Sequence, residues 1–585
     1  MLDYNTYIAE IQQISNSKST YNDKLFELKK LLERLSREHT ANETMQFPTL
    51  FSRLVFLAQK HQLPKQLEWQ LQHLRVRAKE IRKKKEELIE TEYRQHERAL
   101  LNFLQTIIGN ETVASGGVCF EPISSYSEKI LRVQIQHIDK EKLEIECLVE
   151  KHPGTTVTVK YNVHPDNAAL NSSVEQFWEG AQLNLIDFSI NKNGHLIPKL
   201  IILEPDYLID ASAIAECFHD YCITPMHYFR NKFETLENRS YLLLGNLANF
   251  FLDELIFAQN PEEVSFDETF FKSFKQSPFE YTSCEDIASD EDFRAFMQKA
   301  RSQFENIKRV IVEDFPQRNT DVRKCTLEPS FFSEKYGFQG RLDLLQINKK
   351  EHKIVELKSG KLPFPSYDVG KINPNHEVQT GVYRLMIESV FNAPPRKIEA
   401  AILYSSGDMP GTNLRFAAEF QRLEKEIINV RNHIVANEHK IMNGNNETLA
   451  QLFQELYATT DFAKSTAKFY TQKIEDFKSI LQQCTSTELS YFYRYIRFIS
   501  RELYLQKIGD IEYESPTGIA SLWNSDFTER AEALDVLFDL SIESIDDSGN
   551  DMKIIFRRNH AENDIVNFRE GEICIVYPRQ SEEDT

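Results

Sequence analysis

The sequence predicts a multidomain α+β fold, and three observations predict it. Helical spacing over the first 108 or so residues gives way to strand alternation between about 117 and 205. Helices and strands then intermix to about residue 415 before helical spacing returns. At 585 residues the chain is too long for one hydrophobic core and long enough for roughly three to five domains.

Residues 1–110 are rich in Leu, Gln and Glu and nearly free of glycine, which predicts a helical bundle or coiled-coil arm. Residues 111–205 carry "ILRVQIQHI", "LEIECLVE", "TVTVKYNV" and "QLNLIDFSI", with period two between the turn signals "KHPG", "HPDN" and "NKNG". They predict a small β-domain, for which an oligonucleotide-binding-type barrel is one option. Residues 206–415 begin with helices in "ASAIAECFHDYC" and "SYLLLGNLANFFLDELIF". Strands around residue 343, a helix at 375–391 and the strand "KIEAAILYSS" follow. Residues 416–540 read as helical, and 541–585 as the start of a β-element. The end, "MKIIFRRNHAENDIVNFREGEICIVYPRQ", offers two strands and hardly enough chain to close a domain, so the natural protein is expected to continue past Thr585.

With 41% hydrophobic and 27% charged residues the chain is globular. No apolar run approaches the roughly 20 residues that span a bilayer, so no membrane is expected. "MLDYNTYIAEIQQ" is no signal peptide, and eight cysteines without a CxxC suit a reducing cytoplasm. The net charge of -20 argues mildly against nucleic acid as a partner, but a basic groove can sit in an acidic body. Arg75, Arg77, Lys79, Arg82, Lys83, Lys84 and Lys85 form a basic stretch that reads as a solvated helix face or as a nucleic-acid or partner contact. There is no GxxxxGK[ST], HExxH or GxSxG, which argues against an ATPase, a zinc protease and an α/β-hydrolase.

The informative stretch is "GRLDLLQINKKEHKIVELKSGK". Asp343, Glu356 and Lys358 interrupt apolar runs that otherwise read as paired core strands. A two-residue turn at Lys349–Lys350 sets position 343 opposite 356, because opposed numbers in an antiparallel pair have a constant sum. Asp343 and Glu356 then face each other about 4.5–5.5 Å apart at Cβ, and Lys358 projects from the same face as Glu356. Facing carboxylates repel unless a cation sits between them, and a hard divalent ion such as Mg²⁺ or Mn²⁺ suits oxygen ligands. Such an ion acidifies a bound water, and the Lys358 ammonium can orient that water or stabilise charge on a phosphate. Downstream, His376, Gln379 and Tyr383 share a face of "NHEVQTGVYRLMIESVF", while Val378, Val382, Leu385 and Met386 supply packing.

GxxD (Gly340 to Asp343), ELK (Glu356 to Lys358) and QxxxY (Gln379 to Tyr383), in this order, resemble the RecB-type branch of the PD-(D/E)XK nuclease superfamily. The motifs span 340–383, and the resemblance implies a nuclease domain at 206–415 with a mixed sheet flanked by helices. It implies that Asp343 and Glu356 ligate metal, that Lys358 is the catalytic lysine, and that Gln379 and Tyr383 line the DNA path. The family often has a GxxxH whose histidine is a third ligand. Here "GNLAN" (Gly245 to Asn249) puts Asn249 in that place, with Asp253 one turn later as a substitute. Glu328 resembles an acidic position of some relatives, and a structural salt bridge is an equal reading. Relatives with an iron–sulfur cluster use one upstream and three clustered downstream cysteines. Here only Cys484 and Cys574 follow Tyr383, with Cys217 and Cys222 upstream, so no cluster is expected. "NFREGEICIVYP" resembles a β-element beside helicase motors, which implies a nuclease–helicase fusion or a partner helicase.

The expected function is therefore a Mg²⁺- or Mn²⁺-dependent DNA nuclease acting on single strands or ends, in a helicase-linked repair, recombination or defence protein. RNA stays open, because such a site reads phosphates and not sugars. The alternative is a catalytically silent nuclease fold that binds nucleic acid as a scaffold, motivated by Asn249. A third reading makes the helical arm the point, in an assembly protein with an incidental acidic hairpin.

Overall fold

A computed structural model describes residues 4–43, 45, 47, 49–84, 86–108, 129–152, 154–233, 238–348, 351–418, 421–458, 468–509, 518–525, 527–546 and 553–559, with scattered positions at 567–569, 574, 576 and 578. The N-terminal region is a bundle of five helices, α1 (Tyr4–Asn16), α2 (Tyr21–Thr40), α3 (Leu50–Lys60), α4 (Lys65–Lys84) and α5 (Glu90–Ile107). A Thr20–Asp23 capping box starts α2, whose apolar stripe (Leu25, Leu28, Leu32, Leu35) is buried against Leu54, Leu67, Leu71 and Phe103. Of the two expected forms, bundle and coiled-coil arm, the helices take the first.

Neither expected reading of the basic stretch fits Arg75 or Arg77, while Lys79 is exposed on its helix, as the solvated-face reading has it. Arg75 is buried, 3.6 Å from the Glu150 carboxylate of the β-domain. Arg77 is paired to Glu86 at 2.6 Å and Glu92 at 2.8 Å, and Lys79 donates to the Asn524 carbonyl at 2.9 Å. Position decides this: these cations face acidic groups or carbonyls of the same molecule, which satisfy them first. The side chains of Arg82, Lys83, Lys84 and Lys85 lie outside the described residues.

The β-rich region carries β1 (Ile130–Asp139), β2 (Glu144–Val149), β3 (Thr156–Lys160), β4 (Gln182–Ile186), β5 (Ser189–Ile190), β6 (Leu196–Ile197) and β7 (Leu200–Leu203). Strand order is β5-β6-β3-β2-β1-β4-β7. Only Pro198 and Lys199 separate β6 from β7, so one segment pairs with β3 at Leu196 and with β4 at Leu200–Leu203. The sheet thereby closes on itself as a small barrel. It abuts the bundle where Trp69 lies against Gly154, so close that a Cβ there would sit 2.9 Å from the indole.

Next come β8 (Ile209–Asp210), α6 (Ala211–Ala215), the short hairpin β9 (Phe218–His219) and β10 (Cys222–Ile223), α7 (Ser240–Phe257) and α8 (Asp290–Arg309). The central sheet has the order β11 (Cys325–Leu327), β14 (Leu344–Ile347), β15 (His352–Lys358), β16 (Ile398–Tyr404), β17 (Leu414–Ala417). Only β15–β16 is parallel, so the sheet is mixed. A side sheet holds β12 (Ser330–Ser333), β13 (Phe338–Arg341) and β8. The alternation of β15 assigns its faces: Val355 and Leu357 pack with α7 and α8, while Ile354 packs with α9 (Pro374–Phe391). Glu356 and Lys358 share the parity of Ile354 and so point to the α9 side.

The C-terminal helices include α10 (Gln421–Asn443), α11 (Asn446–Ala458) and α12 (Ser486–Ile508). One cluster of buried apolar residues runs from Leu131 to Ile508, so the core does not break at residues 205 or 415. Near the end, β18 (Leu540–Asp546) pairs with β19 (Lys553–Arg558). The expected strand at "MKIIFRR" thus finds its partner upstream, because a short connection favours a hairpin. Most of "REGEICIVYP" lies outside the described residues.

The fully buried Arg431 of α10 ties the barrel to the side sheet. Its guanidinium donates to the carbonyls of Leu203, Glu204 (2.8 Å), Tyr207 (2.9 Å) and Gly337 (3.3 Å), while Asn432 Oδ1 accepts from Leu203 N–H at 3.0 Å. Gly337 has φ +72°, and a Cβ there would fall inside the Arg431 guanidinium. Gly337→Ala should therefore destabilise the protein by about 2–4 kcal/mol through strain and overpacking. Gly194→Ala, at φ +80° with open space around it, should cost only about 1–2 kcal/mol. Urea midpoints of the two variants check this difference.

Candidate active site

The hairpin register puts Leu344 opposite Val355 and Ile347 opposite His352, a constant sum of 699. Asp343 and Glu356 continue that sum at the end of the ladder. The turn expected at Lys349–Lys350 lies outside the described residues.

Glu356, Lys358, Gln379 and Tyr383 form one hydrogen-bonded unit. Lys358 Nζ donates to Glu356 Oε1 (2.9 Å) and to Gln379 Oε1 (2.8 Å). Gln379 Nε2 donates to Glu356 Oε1 (2.6 Å) and to Tyr383 Oη (2.9 Å), and Tyr383 Oη donates to the Arg341 carbonyl (2.8 Å). The i,i+4 spacing on α9 makes this possible, since both polar groups leave the helix on one face. Gly340 makes room: a Cβ there would lie 3.1 Å from the Tyr383 ring and 3.2 Å from Ala211 Cβ. The glycine of GxxD thus sits in a tight contact between the strand, Tyr383 and Ala211.

Glu356 is 3% exposed, and Oε1 takes both donors while Oε2 is buried with none. Asp343 Oδ2 accepts from Leu357 N–H at 2.6 Å. Burial, then the charge of Glu356, hold the Asp343 carboxyl well above the usual carboxylate range, against the pull of Leu357 N–H and Lys358. Burial pulls Lys358 down, but Glu356 and then Asp343 more than offset it, so the ammonium is held protonated. Glu356 Oε2 takes no N–H donor and Asp343, hydrogen-bonded to Glu356, resists ionising, so two buried carboxyls share a proton, a donor set suited to a hard cation.

His376 is held neutral, its pKa pushed down to about 3 by burial and by Lys358, and Nδ1 lies 2.9 Å from Tyr404 Oη. Tyr404 also accepts from Asn373 N–H at 3.3 Å and pairs with Lys358 across the parallel strands. Sequence reasoning missed Tyr404, whose one signal is a tyrosine closing the apolar run "AAILY". It also missed Glu216, whose charge Lys358 feels from the turn after α6; nothing in sequence links it to the hairpin.

Asn249, half-buried on α7, makes no hydrogen bond to Asp343 or Glu356 among the described residues. Its helix still reaches the site, because a Cβ on Gly245 would lie 3.5 Å from Ser359 Oγ. Two turns on from Gly245, Asp253 is pushed up to about 6 by burial, then by Glu328 and Glu254, with Arg341 opposing. Glu328 pairs with Arg341 at 3.2 Å, the salt-bridge reading, and its N–H donates to the Asp343 carbonyl at 3.1 Å. Among the described residues no three His, Cys, Asp or Glu side chains gather as a metal-holding group. Cys217 is buried, Cys222 Sγ lies 3.5 Å from His227 Nε2, Cys484 is half-buried and Cys574 exposed.

Residues 247–504 match the family model of the PD-(D/E)XK nuclease superfamily. That stretch of the chain is thus similar to the PD-(D/E)XK nuclease superfamily. The match runs from α7 through α12, past the boundary expected at 415. A solved structure of a candidate exonuclease from Eubacterium rectale shares 14% identity over 40% of this chain and 82% of that one, with a TM-score of 0.25. That score is too low to carry an argument. No curated protein matches the chain. Among the described residues no helix is long and apolar enough to cross a membrane.

Because Asp343 is raised, its contribution to metal-free stability is present below the pKa of an unfolded aspartate and lost as pH rises through the folded value. Asn keeps the acceptor for Leu357 N–H and adds a donor for Glu356. Asp343→Asn should therefore raise metal-free stability at pH 8 by about 1–3 kcal/mol, and by less at pH 5. Thermal melts in EDTA at the two pH values test this.

Proposed function

We propose that this chain is a divalent-metal-dependent nuclease that hydrolyses DNA phosphodiester bonds on single strands or ends. The observation that carries the reading is the buried carboxyl pair, Glu356 with no N–H donor on Oε2 and Asp343 beside it, while Oε1 is engaged by Lys358 and Gln379. Asp343 and Glu356 are the residues that would hold Mg²⁺ or Mn²⁺, with Asn249 or Asp253 of α7 as a further oxygen donor. When bound, the cation supplies an acidified water and positive charge for the phosphate. The chain's own residues do the rest. Lys358 holds a protonated ammonium at the strand end, where it can stabilise charge on a phosphate oxygen. Gln379 fixes that ammonium and the Glu356 carboxylate at once, and Tyr383 orients the Gln379 amide. Neutral His376 leaves Lys358 as the cation of the hydrogen-bonded unit with Glu356 and Gln379.

The motif order GxxD, ELK, QxxxY supports placing the domain in the RecB-type branch, working beside a helicase in the same or a partner chain, in repair, recombination or defence. RNA as substrate stays compatible, since these groups read phosphate. A silent scaffold is the second reading, favoured by Asn249 in place of a histidine.

End-labelled single- and double-stranded DNA, incubated with the protein in Mg²⁺, Mn²⁺ or EDTA, tests the proposal. Cleavage should require metal and fall at least about a hundredfold in Asp343→Ala and in Lys358→Ala. Tight DNA binding without cleavage in any metal would establish the scaffold instead. Mn²⁺ should also raise the melting temperature of the wild-type protein and not that of Asp343→Asn. That rise should shrink as pH falls, because protons compete for the ligand carboxylates.

A further inference from the structure

The loop 359–373 leaves the site at Lys358 and returns at Pro374, the first residue of α9. It exposes Phe364 (89%), Tyr367 (71%) and Val369 (48%), three large apolar side chains within six residues. Neither ring stacks on another ring among the described residues.

The loop is nonetheless firmly built. Fully buried Arg415 donates to the carbonyls of Lys371 (2.6 Å), Ser366 (2.7 Å) and Thr412 (3.1 Å). Lys371 Nζ donates to the Phe364 carbonyl at 3.0 Å, and Asp368 N–H to Pro365 at 3.1 Å. Gly370 N–H donates to Asp368 Oδ1 at 3.0 Å, and Ser406 Oγ to the Gly360 carbonyl at 2.6 Å. Leu362 seats the loop on the turn at Gly407, where a Cβ would be 3.2 Å away. A buried arginine spent on loop carbonyls holds a backbone whose aromatics face water, the reverse of what burial favours. Exposed Lys361 makes no ion pair among the described residues.

We infer that Phe364 and Tyr367 form a stacking platform for unpaired nucleobases, so that the substrate of the site is a single strand or a frayed end. The inference rests on the nuclease reading for the phosphate that follows the stacked base into the site. The occupant follows from position and chemistry. The loop is continuous with Lys358 at one end and with α9, which carries Gln379, at the other, Lys361 suits a phosphate backbone, and aromatic faces suit bases. A duplex hides its base faces in its own stack, so the platform selects against it.

The test measures binding in EDTA by fluorescence anisotropy, with a labelled oligothymidylate and a blunt duplex. The Asp343→Ala chain is compared with the same chain carrying Phe364→Ala and Tyr367→Ala. Both rings are exposed, and unchanged melting temperatures confirm intact folding. Single-strand affinity should fall at least about tenfold while duplex affinity holds, and Tyr367→Phe, which keeps a ring face, should retain it. Equal losses on both probes, or no loss, overturn the inference. Cleavage is read separately on the otherwise wild-type protein. Single-strand cutting kept at full rate after Phe364→Ala and Tyr367→Ala overturns the platform and leaves the nuclease. Single-strand-selective loss of binding, in a chain that cuts nothing, overturns the nuclease and leaves the platform.

Discussion

The structure around the site depends on how Glu356 is held. Lys358 and Gln379 both reach Oε1, and they reach each other, so three side chains from two elements close a hydrogen-bonded triangle. That triangle fixes the carboxylate, leaves Oε2 to the Asp343 carboxyl and links β15 to α9. Two buried carboxyls side by side cost stability, and such costs persist at sites that need them. Tyr383 and Gly340 follow from the same demand, since the helix must come close enough for Gln379 to reach the strand.

Around this unit the molecule is locked by arginines that donate to main chain. Arg431 joins the barrel to the side sheet, and Arg415 ties the loop between the two polar motifs to β17. Guanidinium suits this role because its fixed fork can satisfy several carbonyls at once where water is excluded. Burial pushes Arg431 down to about 9, so it stays charged at neutral pH.

Much of the site was legible because its parts are close in sequence. The pairing of Asp343 with Glu356 follows from a constant sum over some 15 residues, and the shared face of Gln379 and Tyr383 from one helical turn. The period-two segments likewise marked β1 to β4. What was not legible depends on distant contacts. That Arg75 is buried at Glu150 follows from the packing of a bundle on a barrel, and the barrel closes only because Leu196–Leu203 spans two partners. Tyr404 reaches His376 through a parallel crossover, and Arg431 finds carbonyls more than 90 residues away. For Asn249 the spacing marked a helix that does approach Ser359, but spacing alone does not say which of its polar residues turns inward.

The most direct measurement of the central claim is an anomalous-scattering map of a crystal soaked in Mn²⁺. The account predicts a peak about 2.0–2.3 Å from Glu356 Oε2, with an Asp343 oxygen in the same coordination sphere. Lys358 and Gln379 should remain on Oε1. An ion bound elsewhere, or Glu356 Oε2 still bare at saturating Mn²⁺, would contradict it.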